Sequence, residues 1–294
     1  MILEQLRIFV AVAERLHVTQ AARALNMAQS AVSASLANLE RRYQTRLFHR
    51  VGRGIELNEA GRMLLPEARE LLARVDQTEA MLAELVGLRR GTLLVQASQT
   101  IASYWLPRHL VAFRAMRPEV EISLGVGNSA DVVQCVLNGA ASIGFIEGEA
   151  HHPSLSQKVV ARDQLMLVVA PNHRLAQKPT LDPAELIEET FVMREKGSGT
   201  RSVLEAALQG FGLALENLQI GFELPSNEAV RAAVEAGAGI AAISASVVAG
   251  SLETGLLQAL PIKLPERRYQ ALWHKERGLN PAAQDFLKVV QSRA

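Results

Sequence analysis

Between Arg41 and Ile55 stand Arg41, Arg42, Arg46, Arg50 and Arg53, with His49 among them and no acid. A cationic block this dense can neutralise phosphates along a duplex, since each contact releases condensed counterions. Upstream, Gln29, Ser30 and Ser33 carry side chains that read base edges. Gln29 can make paired bonds to adenine, and serine hydroxyls can bond bases or phosphates. A second chemistry is spread over the later chain. Ser98-Gln99-Thr100, Asn128-Ser129, Ser198-Gly199-Thr200 and Ser226-Asn227 each place hydroxyls or an amide where an apolar run gives way to a helical pattern. Singly, such residues cap helices. Together, in an open α/β fold, they can grip a polar ligand beyond the strand ends, where helix N-termini point unpaired amides. With Arg201 and Lys196 nearby they favour a small anion: a carboxylate, a phosphate or a sulfur oxyanion. Glu147 and Glu195 also follow strands and pull the other way, towards an ammonium group or a pairing with Lys196.

Enzyme chemistry finds no footing. No Gly-x-Ser-x-Gly elbow, His-Glu-x-x-His or Walker loop occurs. Gly237-Ala238-Gly239-Ile240-Ala241-Ala242 loosely matches a dinucleotide fingerprint, but it follows a helical pattern and precedes a strand, the reverse of what that motif requires. His151-His152 lacks a further ligand at metal spacing and reads as a solvated loop. No cofactor is expected.

The elements that must position these residues follow from periodicity. Leu6, Phe9, Val10 and Ala13 mark an amphipathic helix over residues 3 to 15. Thr19 is expected to cap a short helix from Gln20 to Leu25, and Val32, Leu36 and Leu39 face inward from a third, Gln29 to Tyr43. Such an order sets the N-terminus of the third helix into a major groove. Val51-Gly52-Arg53-Gly54-Ile55 reads as a hairpin wing. Over 58–88, the residues Leu64, Ala68, Leu71, Val75, Thr78, Leu82 and Leu85 recur alternately four and three apart, a heptad seam on a helix about 45 Å long. Its narrow stripe predicts pairing with a second copy, which would also supply two reading heads.

After Leu88-Arg89-Arg90-Gly91, short apolar runs at 93–97, 120–126, 142–146, 165–170, 190–193, 219–222 and 239–244 alternate with helical patterns at 106–116, 130–137, 202–211 and 229–236. That alternation predicts parallel sheets covered by helices, in two lobes that share crossing segments.

In this order the parts resemble the LysR-type transcriptional regulators over the whole chain. The resemblance rests on Leu6-Arg7-Ile8-Phe9-Val10-Ala11-Val12-Ala13-Glu14, Thr19-Gln20-Ala21-Ala22, Gln29-Ser30-Ala31-Val32-Ser33, Leu39-Glu40 and Leu47-Phe48-His49-Arg50. Leu57-Asn58-Glu59-Ala60-Gly61 and Glu235 to Ala241 add to it. The resemblance implies an N-terminal all-α winged helix-turn-helix, a long linker helix, and a C-terminal α/β two-lobed domain with the periplasmic-binding-protein fold. The expected boundaries are 1–57, 58–88 and 89–294, with lobe I about 92–161 and 267–294 and lobe II about 162–266. It further implies a homodimer or homotetramer that binds double-stranded promoter DNA, with RNA polymerase as a further contact. Thr19, Gln20, Gln29, Ser30, Ser33, Arg41, Arg50 and Arg53 are the residues expected at DNA, and Leu64, Leu71, Val75 and Leu82 those expected at the dimer seam. The effector set is Ser98, Gln99, Thr100, Asn128, Ser129, Glu147, Glu195, Ser198, Gly199, Thr200 and Asn227, its first and third junctions on opposing lobes. Ser30 and Ala34 depart from the family's more usual proline and longer polar side chain, which alters the expected operator. Arg194 to Arg201 resembles the branch of carbon-fixation and sulfur-assimilation regulators.

Composition agrees with this class. One cysteine, Cys135, fits a reducing, cytoplasmic setting and lies in an apolar run as a small hydrophobe. The first residues include Glu4 and Arg7 and lack a leader's basic start and cleavage site, and the stretch from Ala236 to Leu252 is too short and glycine-broken for a membrane span. Net charge is only +1, so the basic block is a local concentration.

Overall fold

The computed structural model describes residues 3–51, 54–85 and 91–292, and of residues 76, 77 and 80–85 the backbone alone. The expected phosphate contact Arg53 and the side chain of Leu82 lie outside the described residues. The chain divides into two compact units, one over Met1–Arg89 with Asn138–Ala140 and one over Arg90–Leu137 and Ala141–Ala294.

In the first unit, helices α1 (Leu3–Arg15), α2 (Val18–Ala24) and α3 (Gln29–Arg42) precede an antiparallel hairpin of β1 (Phe48–Val51) and β2 (Gly54–Leu57), then the long helix α4 (Glu59–Leu85). The first three helices stop where Leu16, Asn26 and Gln44 take φ of 48°, 52° and 50°, a left-handed conformation that cannot continue a right-handed helix. Leu6, Phe9, Val12, Val32 and Leu39 are buried between them, and Phe9 meets Phe48 of the hairpin edge-on at 5.7 Å. Thr19 does not cap α2. The helix begins at Val18, with His17 in the cap position and no side chain bonding its first turn. Val18 packs on Ile8, Ala21 and Ala22, so burial rather than a hydroxyl sets the start.

The seam on α4 also needs correction. Ala68 is fully buried, and Leu64, Leu65 and Leu72 pack with it against Leu6, Phe9 and Leu47. Leu64 and Ala68 therefore belong to the core of their own unit. Only from Leu71, which is exposed, and Val75, which is half-buried, does the stripe lie open. A helix packed on a neighbour within its own chain satisfies the same three-four spacing as a coiled coil, so the period could not separate them.

In the second unit, β3 (Thr92–Ser98) leads through a π-helical turn at Ile101–Trp105 into α5 (Leu106–Met116), then β4 (Glu121–Gly127), α6 (Ser129–Leu137), β5 (Ile143–Glu147) and the long β6 (Leu155–Val169). There follow β7 (Thr190–Arg194), α7 (Gly199–Gly210), β8 (Gln219–Leu224), α8 (Asn227–Glu235), β9 (Ala241–Ser244), α9 (Ala245–Glu253), the second long strand β10 (Gln258–His274) and α10 (Pro281–Ser292). Strand β3 is parallel to β4 and β5, and β7 to β8, as the alternation predicts. The long strands differ. β10 runs antiparallel to β5 and β6, and β6 antiparallel to β9, because the chain enters the second lobe along one long strand and returns along the other.

One lobe gathers Leu93, Phe113, Phe145 and Val160 with Tyr269, Ala271, Phe286 and Val290. The other gathers Leu165, Leu167, Phe191, Leu204 and Leu264. Each core takes one half of each crossing strand. The polar middle, 162–164 of β6 and 266–268 of β10, lies between the stretches that the two cores claim. Among the described residues no helix is long and apolar enough to cross a membrane.

Candidate functional site

Because α3 turns Val32 and Leu39 into the core, Gln29, Ser30 and Ser33 remain exposed on its other side. Ala28 precedes the helix without a side-chain cap, and its carbonyl takes Ala31 N and Val32 N, which leaves the first N–H groups of the helix, at Gln29 and Ser30, for an anionic oxygen. Gln20, Arg41 and Arg50 are exposed and Thr19 is half-buried. The basic block is not uniform. Arg46 lies 3.3 Å from Glu40, which also accepts from Leu47 N at 2.8 Å, so this pair fastens the entry to the hairpin.

Where the long strands cross in the second unit, polar groups are buried. Arg267 is 2% exposed; its Nε donates to Asp163 Oδ2 at 2.7 Å and its Nη1 to Thr200 Oγ1 at 2.8 Å. Ser244 Oγ donates to the other Asp163 oxygen at 2.9 Å. Burial opposes the guanidinium charge, but the nearby Glu147 and Asp163 carboxylates outweigh it and hold its pKa above the ordinary value. Burial also pushes the Tyr269 phenol up.

A second set of bonds ties lobe to lobe. Glu195 holds Arg194 in a bidentate pair at 2.8 and 2.9 Å, Arg194 Nη1 donates to Asn227 Oδ1 at 2.7 Å, and Asn227 Nδ2 donates to Thr100 Oγ1 at 3.0 Å. Gln99 Oε1 accepts from Asn227 N at 2.8 Å while its Nε2 donates to Glu228 Oε2 at 3.0 Å, and Tyr104 OH donates to Glu228 Oε1 at 3.0 Å. Thr100 caps no helix, since its hydroxyl is engaged by the opposite lobe. Ser98 differs from its neighbours: its Oγ is buried with no hydrogen-bond partner among the described residues. Leaving a hydroxyl so costs about 1–3 kcal/mol unless a water, an ion or a ligand meets it.

The other expected residues divide. Asn128 and Asp131 cap α6 reciprocally, both bonds at 3.0 Å, so Asn128 is an ordinary helix cap. Ser226 likewise caps α8 through Ala229 N at 3.0 Å. Ser129 Oγ donates to Glu147 Oε2 at 3.1 Å. Ser198 is buried just ahead of Gly199, where a Cβ would stand 2.6 Å from Glu147 O, so the lobes touch backbone to backbone there. Two expectations fail. Arg201 turns to Glu205 and Glu223; burial opposes its charge, but those bonds outweigh it and raise its pKa, so the charge is already met. Glu195 is occupied by Arg194 rather than by Lys196. Sequence reasoning missed Arg194, Arg267, Asp163, Tyr104 and Glu228 as members of this network. Beside the network, a cavity of about 820 Å³ opens between α6, α7 and the turn 147–152. Ser129, Glu147 and Gly199 line it, whereas Ser98, Gln99, Thr100 and Asn227 do not.

Residues 3–62 match the bacterial regulatory helix-turn-helix protein of the lysR family, and residues 87–294 match the LysR substrate binding domain. The chain belongs to the LysR family. It is a LysR-type DNA-binding transcription regulator with an effector-binding domain, and not an enzyme. A LysR relative, the uncharacterized HTH-type transcriptional regulator YeiE of Escherichia coli strain K12, is 36% identical over 289 residues, covering 97% of this chain and 95% of the relative. The RuBisCO operon transcriptional regulator of Allochromatium vinosum is 32% identical, covering 99% of this chain and 96% of that one. Among solved structures, the LysR regulator CbnR shares the fold with a TM-score of 0.72 at 22% identity, covering 100% of this chain and 99% of CbnR. The regulatory domain of Synechocystis PCC6803 CcmR, solved in complex with 2-PG, is 26% identical with a TM-score of 0.63, covering 69% of this chain and 97% of that domain.

Proposed function

We propose that this LysR regulator reads promoter DNA as a homodimer or homotetramer, and that a small anion held between its C-terminal lobes sets that reading. The division of labour is a reader over 1–57, a linker helix over 58–88 and an effector domain over 89–294. Gln29, Ser30 and Ser33 address bases, while Arg41 and Arg50 address phosphate. The open stripe from Leu71 and Val75 supports pairing of linker helices.

The observation that carries the anion is the buried Ser98 hydroxyl, which has no hydrogen-bond partner among the described residues; Arg267, bonded to Thr200 of the α7 N-terminus, has its own charge met by Asp163. Ser98 and Thr100 bring buried hydroxyls from the other lobe. The 2-PG complex of CcmR supports the same class of ligand. The test is calorimetric titration of the full chain with 2-PG, inorganic phosphate and sulfate. Thr100→Ala should weaken the binding anion tenfold to a hundredfold, since a hydrogen bond to a charged group is worth about 1.5–3 kcal/mol. The change also strips Asn227 Nδ2 of its acceptor, so the melting temperature should fall too. A fall in melting temperature with unaltered anion affinity would remove Thr100 from the site.

For DNA, Arg50→Ala should weaken specific and random duplex together and lower the slope of log affinity against log salt by about one. Gln29→Ala should instead erode discrimination between operators. Fluorescence anisotropy over a salt series separates these, and equal loss of discrimination from both variants would sink the assignment.

A further inference from the structure

We infer that Tyr104 and Glu228 form a latch that shuts the two lobes of the second unit before any ligand enters. Apolar packing does not shut them. The buried clusters each draw on one lobe alone, and among the described residues none spans both. Away from the crossing strands the lobes meet through polar bonds. At the rim beside α7 the backbone supplies one, from Ala130 N to Gly197 O at 3.2 Å. At the rim beside α8 the bonds come from side chains. Gln99, Thr100 and Tyr104 reach across from lobe I, and Asn227 and Glu228 meet them in the first turn of α8. Each such bond replaces one that water would make, so its net worth is small and the closed state is held by a margin that one side chain can shift.

Glu228 is half-buried, and its two carboxylate oxygens accept from Gln99 Nε2 and Tyr104 OH, both on lobe I. Burial, and then the bond to Glu228, hold the Tyr104 phenol above its ordinary pKa against the pull of Arg231, so it remains a donor at neutral pH. Tyr104 is also braced from behind. It belongs to the π-helical turn Ile101–Trp105, whose next residue, Trp105, is buried against Phe145 and Tyr269 in the core of lobe I. Such turns depart from the regular helix and often serve function. The plainer role for Glu228 is an acid in the first turn of its own helix, where it favours the helix dipole and needs nothing from lobe I. A latch makes the domain closed by default, so that whatever enters the cleft must first part the lobes and is admitted in proportion to the open fraction. The inference is independent of the anion reading, because it concerns the domain with no ligand added.

Two neighbouring amides supply the test. Asn227 N is the first donor of α8, has no acceptor within the helix, and donates to Gln99 Oε1 on the opposite lobe. Ala229 N donates to Ser226 Oγ within its own lobe. Hydrogen exchange of the full chain, resolved by residue and with no ligand added, therefore separates parting of the lobes from fraying of the helix. In the unaltered chain Asn227 N should exchange slowly. Tyr104→Phe, which removes one hydroxyl and leaves α8 untouched, should speed Asn227 about tenfold, since a bond to a charged group is worth about a decade in such an equilibrium. Ala229 should stay within about twofold. Glu228→Gln, which keeps the shape and removes the charge, should also speed Asn227, and joined to Tyr104→Phe the two effects should fall short of their product, because they weaken one shared bond. Three results would each overturn the inference: Asn227 exchanging in the unaltered chain as fast as an amide in an unstructured peptide, Asn227 unaffected by Tyr104→Phe, or Asn227 and Ala229 accelerating together.

Discussion

Arg267→Met is expected to cost the second unit about 3–5 kcal/mol, because it leaves a buried carboxylate without its counter-charge. Asp163 would keep the Ser244 and Tyr269 hydroxyls but no charge, and Thr200 would lose the bond that Arg267 donates. Glu147 would lose the nearest compensation for its own burial. Urea unfolding followed by circular dichroism measures the loss. The paired variant Arg267→Met with Asp163→Leu should recover most of the stability, since removing both charges of a buried pair is often neutral or better. On the proposed reading it should not recover anion binding. A single variant that loses less than about 1 kcal/mol would show that water reaches the pair and that its Coulombic weight is small.

The second large effect is expected in the reading unit. At Gly61, in the first turn of α4, a Cβ would stand 2.2 Å from Leu47 O and 2.7 Å from a Leu57 methyl. The nearer atom is backbone, and that carbonyl already accepts from Asn58 N at 3.1 Å, so no side-chain rotation relieves the clash. Gly61→Ala should therefore displace α4 from the hairpin, costing about 1–3 kcal/mol or more, as overpacking does. Arg50 rides on that hairpin, so operator affinity should fall although no DNA-facing residue has changed. Anion binding by the second unit should remain. Unchanged operator affinity would mean that the hairpin moves with the helix as one piece.

Legibility followed chemistry. The helices α1 and α3 and the wing could be read because their buried residues are apolar and regularly spaced, and because glycines flank the hairpin turn. Parallel strands such as β3 and β5 could be read as short apolar runs. β10 could not: Leu264-Pro265-Glu266-Arg267-Arg268-Tyr269 places charge in a strand interior, and Glu147 and Asp163 from distant segments make the burial of Arg267 tolerable. The candidate cleft was legible in its hydroxyls, Ser98, Thr100 and Thr200, which stand at strand ends. It was not legible in its charges. Arg201 looked available until Glu205 and Glu223, brought in by the next helical turn and by β8, claimed it. Thr19 and the upper seam misled for the same reason. Val18 and Ala68 found apolar neighbours within their own unit, and packing overrode the local pattern.

The placement of α10 has a consequence for synthesis on the ribosome. The cores of lobe II draw on residues from Leu165 to Leu264, so that lobe has all its parts once that stretch has emerged. Lobe I began to emerge earlier yet finishes later. Phe286, which packs on Phe113 at 5.3 Å and Phe145 at 5.9 Å, emerges only after the whole of lobe II. Until α10 emerges, the apolar faces of β3 and β5 wait for it while the lobe inserted between them and α10 can already be native. A chain that stops short of α10 should thus hold a folded inserted lobe beside an unfinished host whose apolar residues lack their cover.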